Sequence, residues 1–370
     1  MSLKLINSVI GKRKKWALAV FVFVGLFHSF IANDKFVIAK TENGVGFFVD
    51  KSKADWGVAA LIPYSSHSID RENRSVGPLS NQNIESVYKR HWLGTDSLGR
   101  DVLAGMLNGT FIALIVGAST VILSFILGVV LAFISGYYGD SGFRVEKRFI
   151  IPLIFISILL IFYIVYSGVL MSLILILILM ALWFAAAKHS RRGVGQTLGV
   201  PLDMIVFRFL DVFNSIPGMF LVLILLALFK KASIINVVFV IAILKWPVIT
   251  RHLRAEILKI KQEDYIDSAK SIGLSDLTIF IKHVLPMAVS PVVIVLAFGF
   301  SSAVLMESTL SFLGIGLPVD EVSWGSIIRQ ARQDFSLWWL AVFPGIAIYF
   351  TVVLFNSIGN SLNKKLRMEA

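Results

Sequence analysis

The stretch Phe111–Tyr138, FIALIVGASTVILSFILGVVLAFISGYY, is 28 residues long and near-continuously apolar. An α-helix rises about 1.5 Å per residue and crosses the ~30 Å hydrocarbon core with about 20 residues. The stretch therefore reads as a transmembrane helix. Outward from it the pattern repeats at Trp16–Ile31, Phe149–Ala187, Phe207–Phe229, Ile234–Ile249, Met287–Leu313 and Phe335–Ile358. Of 370 residues, 56% are hydrophobic and 16% charged, against roughly 45–50% and about 25% in soluble domains. The expected fold class is an all-α polytopic membrane protein. A soluble enzyme, a nucleic-acid-binding protein and a disulfide-stapled secreted domain are excluded. The absence of Cys removes thiolate metal sites and Cys nucleophiles.

The tract Phe149–Ala187 has 39 residues, about 58 Å as one helix and nearly twice the core thickness. Ser167-Gly168 near its middle can turn the chain. Basic residues stand at both ends, Arg144, Lys147 and Arg148 before it and Lys188, Arg191 and Arg192 after it. Like-signed ends belong on one side, so a transmembrane hairpin is expected and the spans number eight. Lys12-Arg13-Lys14-Lys15 ahead of the first span resembles a signal n-region. No small-residue cleavage site follows, so this span reads as a retained anchor. With the N-terminus inside, the inner segments carry a net +11 and the outer ones +1 of the total +12. Both termini are expected to be cytoplasmic, with the chain in the cytoplasmic (inner) membrane.

The expected layout is a cytoplasmic N-terminus and first span over 1–31, an extracytoplasmic segment over 32–110 and a second span over 111–138. The inserted hairpin over 149–187 follows, then the remaining spans over 200–370 with an inner loop at 251–286. In the outer segment, Phe36–Lys40 and Val45–Val49 alternate about Glu42-Asn43-Gly44, which predicts a β-hairpin in a small module. In the inner loop, apolar residues at 265/266, 269 and 272 have helical spacing. Gly273 can stop that helix, and Ser275 or Asp276 can cap a second one ending before Pro286. Two short amphipathic helices hinged at a Gly make a knob on the inner face. By pattern alone it is either an interfacial connector resting on lipid or a partner-binding element.

Three motifs carry a resemblance. Asp267-Ser268-Ala269, Gly273 and Leu285-Pro286 resemble the EAA loop of ABC importer permeases, with Asp for Glu and Ser for the first Ala. Lys282-His283-Val284-Leu285-Pro286 looks like the dipeptide and oligopeptide branch, although Met287 stands where that branch has Asn. His91–Val102 (HWLGTDSLGRDV) resembles the HxLGTDxxGRDV signature of its C-type permease, and Glu307–Gly316 with Ser323-Trp324-Gly325 resembles its EAALSFLGxG…WG segment. Asp203, Arg208, Asp211 and Pro217 also fall where the family has those residue types. The enlarged outer loop, opening Ile31-Ala32-Asn33-Asp34-Lys35, looks like a subgroup, and the hairpin departs from the usual six-span core of a type I ABC importer permease.

The resemblance implies a permease subunit of an ATP-driven importer of di- or oligopeptides. Nickel chelates or other small solutes are the alternative cargo within the family. It implies a second permease, two cytoplasmic ATP-binding subunits and an extracytoplasmic substrate-binding protein as partners, besides lipid and without nucleic acid. ATP and Mg would belong to the ATPases, and no cofactor to this chain. Tyr265, Ile266, Ala269 and Gly273 become the ATPase-docking candidates, with Ser268, Leu285 and Pro286 completing the loop and Asp267 capping or pairing with a basic partner.

The chain has no GxxxxGK[ST] phosphate loop, and Gly193–Gly199 reads as loop. The six His show no metal-ligand spacing, and no catalytic arrangement is recognisable, so no enzyme is expected. Glu307, within the membrane, either lines the substrate route or hydrogen-bonds structurally. Lys245 is explained by snorkelling, and Arg208 with Asp211 by an intrahelical pair. In His91–Val102 a tight turn that orients the second span is favoured over a hand-over site. An ion-coupled secondary transporter and a non-transporting membrane scaffold are the readings from other classes.

Overall fold

The structure, a computed structural model, describes residues 11–41, 44–53, 55–140, 144–146, 197–229 and 231–369. The hairpin expected at 149–187 lies outside the described residues. The strands flanking it, Arg144–Glu146 and Thr197–Gly199, pair antiparallel, with Glu146 opposite Thr197. Thr197–Gly199, expected as loop, is thus a strand.

The all-α character is borne out. Four helices among the described residues are long and apolar enough to cross a membrane. The first helix, α1 (Lys12–Leu26), has 15 residues and continues past Phe27 into a short turn, His28–Ile31. The second, α2 (Val102–Ala132), starts nine residues before its expected apolar boundary and runs through a π-wound end at Phe133–Tyr138. Its cap explains the early start: the Asp101 carboxylate accepts the Ala104 backbone N–H at 2.7 Å, satisfying a donor that the first turn leaves orphaned.

The stretch expected as one span at Phe207–Phe229 is two helices, α3 (Leu202–Ser215) and α4 (Gly218–Leu228), bent by 91°. Pro217 is the physical cause. It has no N–H to continue the ladder and forces the preceding residue out of helical geometry, and Ile216 is extended at φ −84°, ψ 126°.

The next helix, α5 (Ile234–Ile260), passes Pro247 without ending and reaches well beyond its expected boundary. Two short helices, α6 (Asp264–Ser271) and α7 (Asp276–Ile279), form the inner knob. A π-wound stretch, Phe280–Val284, leads into α8 (Leu285–Leu313). After it come α9 (Trp324–Gln333) and α10 (Trp339–Glu369).

Helices α2, α5 and α8 pack side by side, with α10 against α8. Small residues on α2 allow the approach. A Cβ on Gly128 would come within 2.7 Å of Ile249 on α5, and one on Gly109 within 2.3 Å of Trp324 on α9.

The outer module contains the expected hairpin, β1 (Phe36–Thr41) with β2 (Gly44–Val49), antiparallel from Phe36↔Val49 to Thr41↔Gly44. A third strand, β3 (Trp56–Ala59), pairs with the other edge of β1. Its four residues are too short to show alternation in the sequence.

Candidate functional site

The knob is fixed at its hinge and at its base by hydrogen bonds. Helix α6 ends in a paired-carbonyl stop: the Gly273 N–H donates to Lys270 O at 2.9 Å and the Leu274 N–H to Ala269 O at 3.3 Å. This geometry needs a left-handed residue at the turn, and Gly273 has φ +85°. The Ser275 hydroxyl then accepts the Thr278 N–H at 3.3 Å and caps α7. Asp276, the other candidate cap, instead accepts the Tyr137 hydroxyl at 2.9 Å, which ties α7 to the end of α2. Lys261 donates to the Tyr137 carbonyl and closes the same corner.

The eight loop residues singled out in the sequence divide between two jobs. Ile266 is fully buried and Ala269 nearly so. Both sit in one apolar cluster with Tyr137, Ile260, Phe280 and Val284. The helical spacing of 266 and 269 thus records the face turned toward the chain's own body, which amends their expected place at a partner surface. Tyr265, Asp267, Ser268, Gly273 and Pro286 are exposed, and Leu285 is half-buried. Tyr265 donates its hydroxyl to Met287 Sδ at 3.0 Å. Asp267 pairs within its own helix, accepting from Lys270 at 2.9 Å. The apolar residues at the exposed tip are Ile272 (77% exposed), Leu274 and Leu277 (55%), none of them among the docking residues expected from the sequence.

Behind the knob, Arg254 on α5 grips Asp203 on α3. Nε lies 2.5 Å from Oδ1 and Nη2 pairs with Oδ2, while the guanidinium stacks over Phe207 at 4.4 Å. Asp211 pairs with Arg251 at 3.2 Å, not with Arg208. The i,i+3 alternative loses because α5 passes alongside α3 and offers an arginine on that face.

On the opposite side, His91–Val102 forms the tight turn expected. Gly94 and Gly99 have φ +79° and +90°, and a Cβ on Gly99 would lie 2.0 Å from the Asp70 carbonyl oxygen. Asp96 accepts the backbone N–H groups of Leu98 and Arg100 at 2.9 and 2.8 Å and the Arg100 Nε at 2.8 Å. Gln330 on α9 donates to the same carboxylate at 3.1 Å, and Trp339 on α10 donates to Thr95 O at 3.1 Å.

The centre of the turn is His91, which is fully buried. Nδ1 is 2.8 Å from Asp101 and Nε2 is 3.3 Å from Asp70. The Tyr64 ring stacks on the imidazole at 4.2 Å. Burial opposes charge on this ring, but the hydrogen bond and charge of Asp101, with those of Asp70, outweigh it and hold His91 above its usual range. Burial, then the same carboxylates, pushes the Tyr64 hydroxyl up to about 12. Asp70 and Tyr64 lie far from the motif in sequence, and no spacing signal connects them to it.

Glu307 is 1% exposed. Ser311 donates to it at 2.7 Å and Ser308 at 3.3 Å, both from its own helix. Helix α9 closes over this place: Gly325 sits so near α8 that a Cβ would lie 2.3 Å from the Ser308 carbonyl oxygen. Lys245 does not snorkel. Its Nζ donates sideways to Ser302 on α8 at 2.5 Å, since Ser302 lies at the same depth on the neighbouring helix.

Residues 193–368 match the family described as binding-protein-dependent transport system inner membrane component. The chain is similar to the glutathione transport system permease protein GsiD of Pectobacterium atrosepticum, 29% identical over 308 residues, covering 83% of this chain and 79% of that one. It is also similar to a putative peptide transport system permease protein of Brucella abortus, 30% identical over 285 residues and 75% of each chain. Among solved structures it is similar to a chain of the inward-facing MetNI methionine ABC transporter, at TM-score 0.35 and 15% identity, over 66% of this chain and 93% of that one.

Proposed function

Because the chain belongs to the family of binding-protein-dependent transport system inner membrane components, we propose that it carries di- or oligopeptides inward as one permease of an ATP-driven importer. It is a multi-pass inner-membrane protein. In this reading a second permease completes the path, an extracytoplasmic binding protein delivers cargo to the outer face, and two cytoplasmic ATPases supply the energy. ATP and Mg are held by those ATPases, and this chain contributes no catalytic group. The relatives named for glutathione and peptide transport support the cargo class. The inward excess of positive charge supports cytoplasmic termini and a cytoplasmic knob.

The observation that carries the reading is the anchoring of the knob. A displacement applied to a floppy loop dissipates, whereas one applied to α6 and α7 passes through Ile266 and Ala269 into α5, and through Asp276 to Tyr137 at the end of α2. The exposed Ile272, Leu274 and Leu277 are an apolar tip for an ATPase groove, with Tyr265, Asp267, Ser268 and Gly273 around it. Purification of the chain in mild detergent, with identification of its stoichiometric partners, tests this. Wild type should retain the ATPases and a second permease. Leu277→Asp should lose the ATPases alone, and unchanged retention by that variant contradicts the docking assignment.

A further inference from the structure

Glu307 and Lys245, both read as within the membrane, are treated differently. Glu307 is sealed beneath α9 with serine hydroxyls as partners. Lys245, near the middle of α5, borders an open cavity of about 490 Å³ between α5, α8 and α10. Among the described residues no carboxylate pairs with it. Its one hydrogen-bond partner there is neutral Ser302.

A cation at this depth is costly unless it faces a water-filled cavity or a counter-charge, and such residues mark substrate pathways. Snorkelling along the helix is the alternative, and the sideways reach to Ser302 excludes it in this conformation. The cavity walls are Val248, Ile294, Val295 and Phe298, with His252 and Asn363 toward one end. An apolar hollow with few convergent polar groups, and a volume within the roughly 300–1,000 Å³ of small-ligand pockets, suits a short peptide. A peptide brings one obligatory anion, its C-terminal carboxylate, which loses water on entering the membrane and needs a charged donor there.

We propose that Lys245, held by Ser302, is an anion subsite on the translocation route that takes the carboxylate of the peptide cargo. The inference rests on the peptide-import reading above. Lys245 thereby sets specificity: the ammonium receives the terminus, and the apolar walls tolerate varied side chains.

The test uses the complete transporter in proteoliposomes, with trialanine as the free acid and as its C-terminal amide. Lys245→Met should lower ATP-driven uptake of the free acid about tenfold, the loss of one charge-assisted hydrogen bond, and leave the amide within about twofold. Lys245→Arg should keep the wild-type ratio. Equal losses for both peptides, or none for either, overturn the subsite.

A second measurement needs no transport. Trialanine, but not its amide, should protect the Lys245 amine of the assembled complex from acetylation, read by mass spectrometry on the fragment containing residue 245. Equal labelling with either peptide overturns the subsite, as does protection by anionic lipid alone. Absence of ATP-driven uptake of any peptide by wild type overturns the cargo reading instead, and the labelling then still decides the subsite.

Discussion

His91 Nδ1 lies 2.8 Å from one oxygen of Asp101, and the other oxygen of the same carboxylate accepts the Ala104 backbone N–H at 2.7 Å. One side chain therefore fastens the His91–Val102 turn and starts helix α2. Since Asp70 also reaches His91, the outer module, the turn and α2 meet at a single imidazole.

Stability at that junction should depend on pH. The folded protein holds His91 above its ordinary 6.5. Its charged form therefore contributes fully below about pH 6.5, and the contribution is lost as pH rises through the elevated folded value. Thermal unfolding of the purified protein should show a midpoint that falls across this window. His91→Gln should flatten the slope; the same slope in the variant contradicts the assignment.

Substitutions at Asp101 separate its two jobs. Asn is as good an N-cap as Asp but carries no charge for His91. Asp101→Ala should cost about 1 kcal/mol more than Asp101→Asn, the worth of a typical cap. The loss in Asp101→Asn should itself be larger below the His91 transition than above it. Denaturation midpoints of the two variants at two pH values provide the check.

Gly99→Ala should destabilise the outer turn strongly. It adds a Cβ 2.0 Å from the Asp70 carbonyl oxygen in a backbone conformation that L side chains rarely adopt. Limited proteolysis between residues 60 and 100 should accelerate while the transmembrane bundle stays protected. Unaltered cleavage would show that the turn tolerates the shift.

Ile266 and Leu277 should fail differently when altered. Ile266→Ala removes a fully buried side chain at a cost of about 2–5 kcal/mol, so the knob loosens while its exposed tip persists. ATPases should remain bound, but transport per ATP hydrolysed should fall. Leu277→Asp should remove the ATPases themselves. Identical phenotypes for the two would erase the distinction between anchor and docking tip.

Much of this was legible in the sequence because the signals were local. The spans follow from runs of apolar residues, the β1–β2 hairpin from alternation about Asn43-Gly44, and the stop at Gly273 from the need for a left-handed residue. Periodicity also located the apolar face of α6, but it cannot say whether such a face meets the chain's own core or a partner. Only the packing of Ile266 against Phe280 and Val284 assigns it. The break at Pro217 was masked by continuous hydrophobicity on both sides. The partners of Lys245, Asp203, Asp211 and His91 arrive from distant elements, and choosing Arg251 over Arg208 for Asp211 depends on how α5 crosses α3.

We propose that ATP hydrolysis by docked subunits, and not an ion gradient, drives peptide movement through this chain. Uptake of labelled trialanine into proteoliposomes holding the complete transporter measures it directly. Uptake should require hydrolysable ATP on the knob side, persist when ion gradients are collapsed, and disappear in Leu277→Asp. Uptake that proceeds without ATP and follows an imposed ion gradient would contradict it.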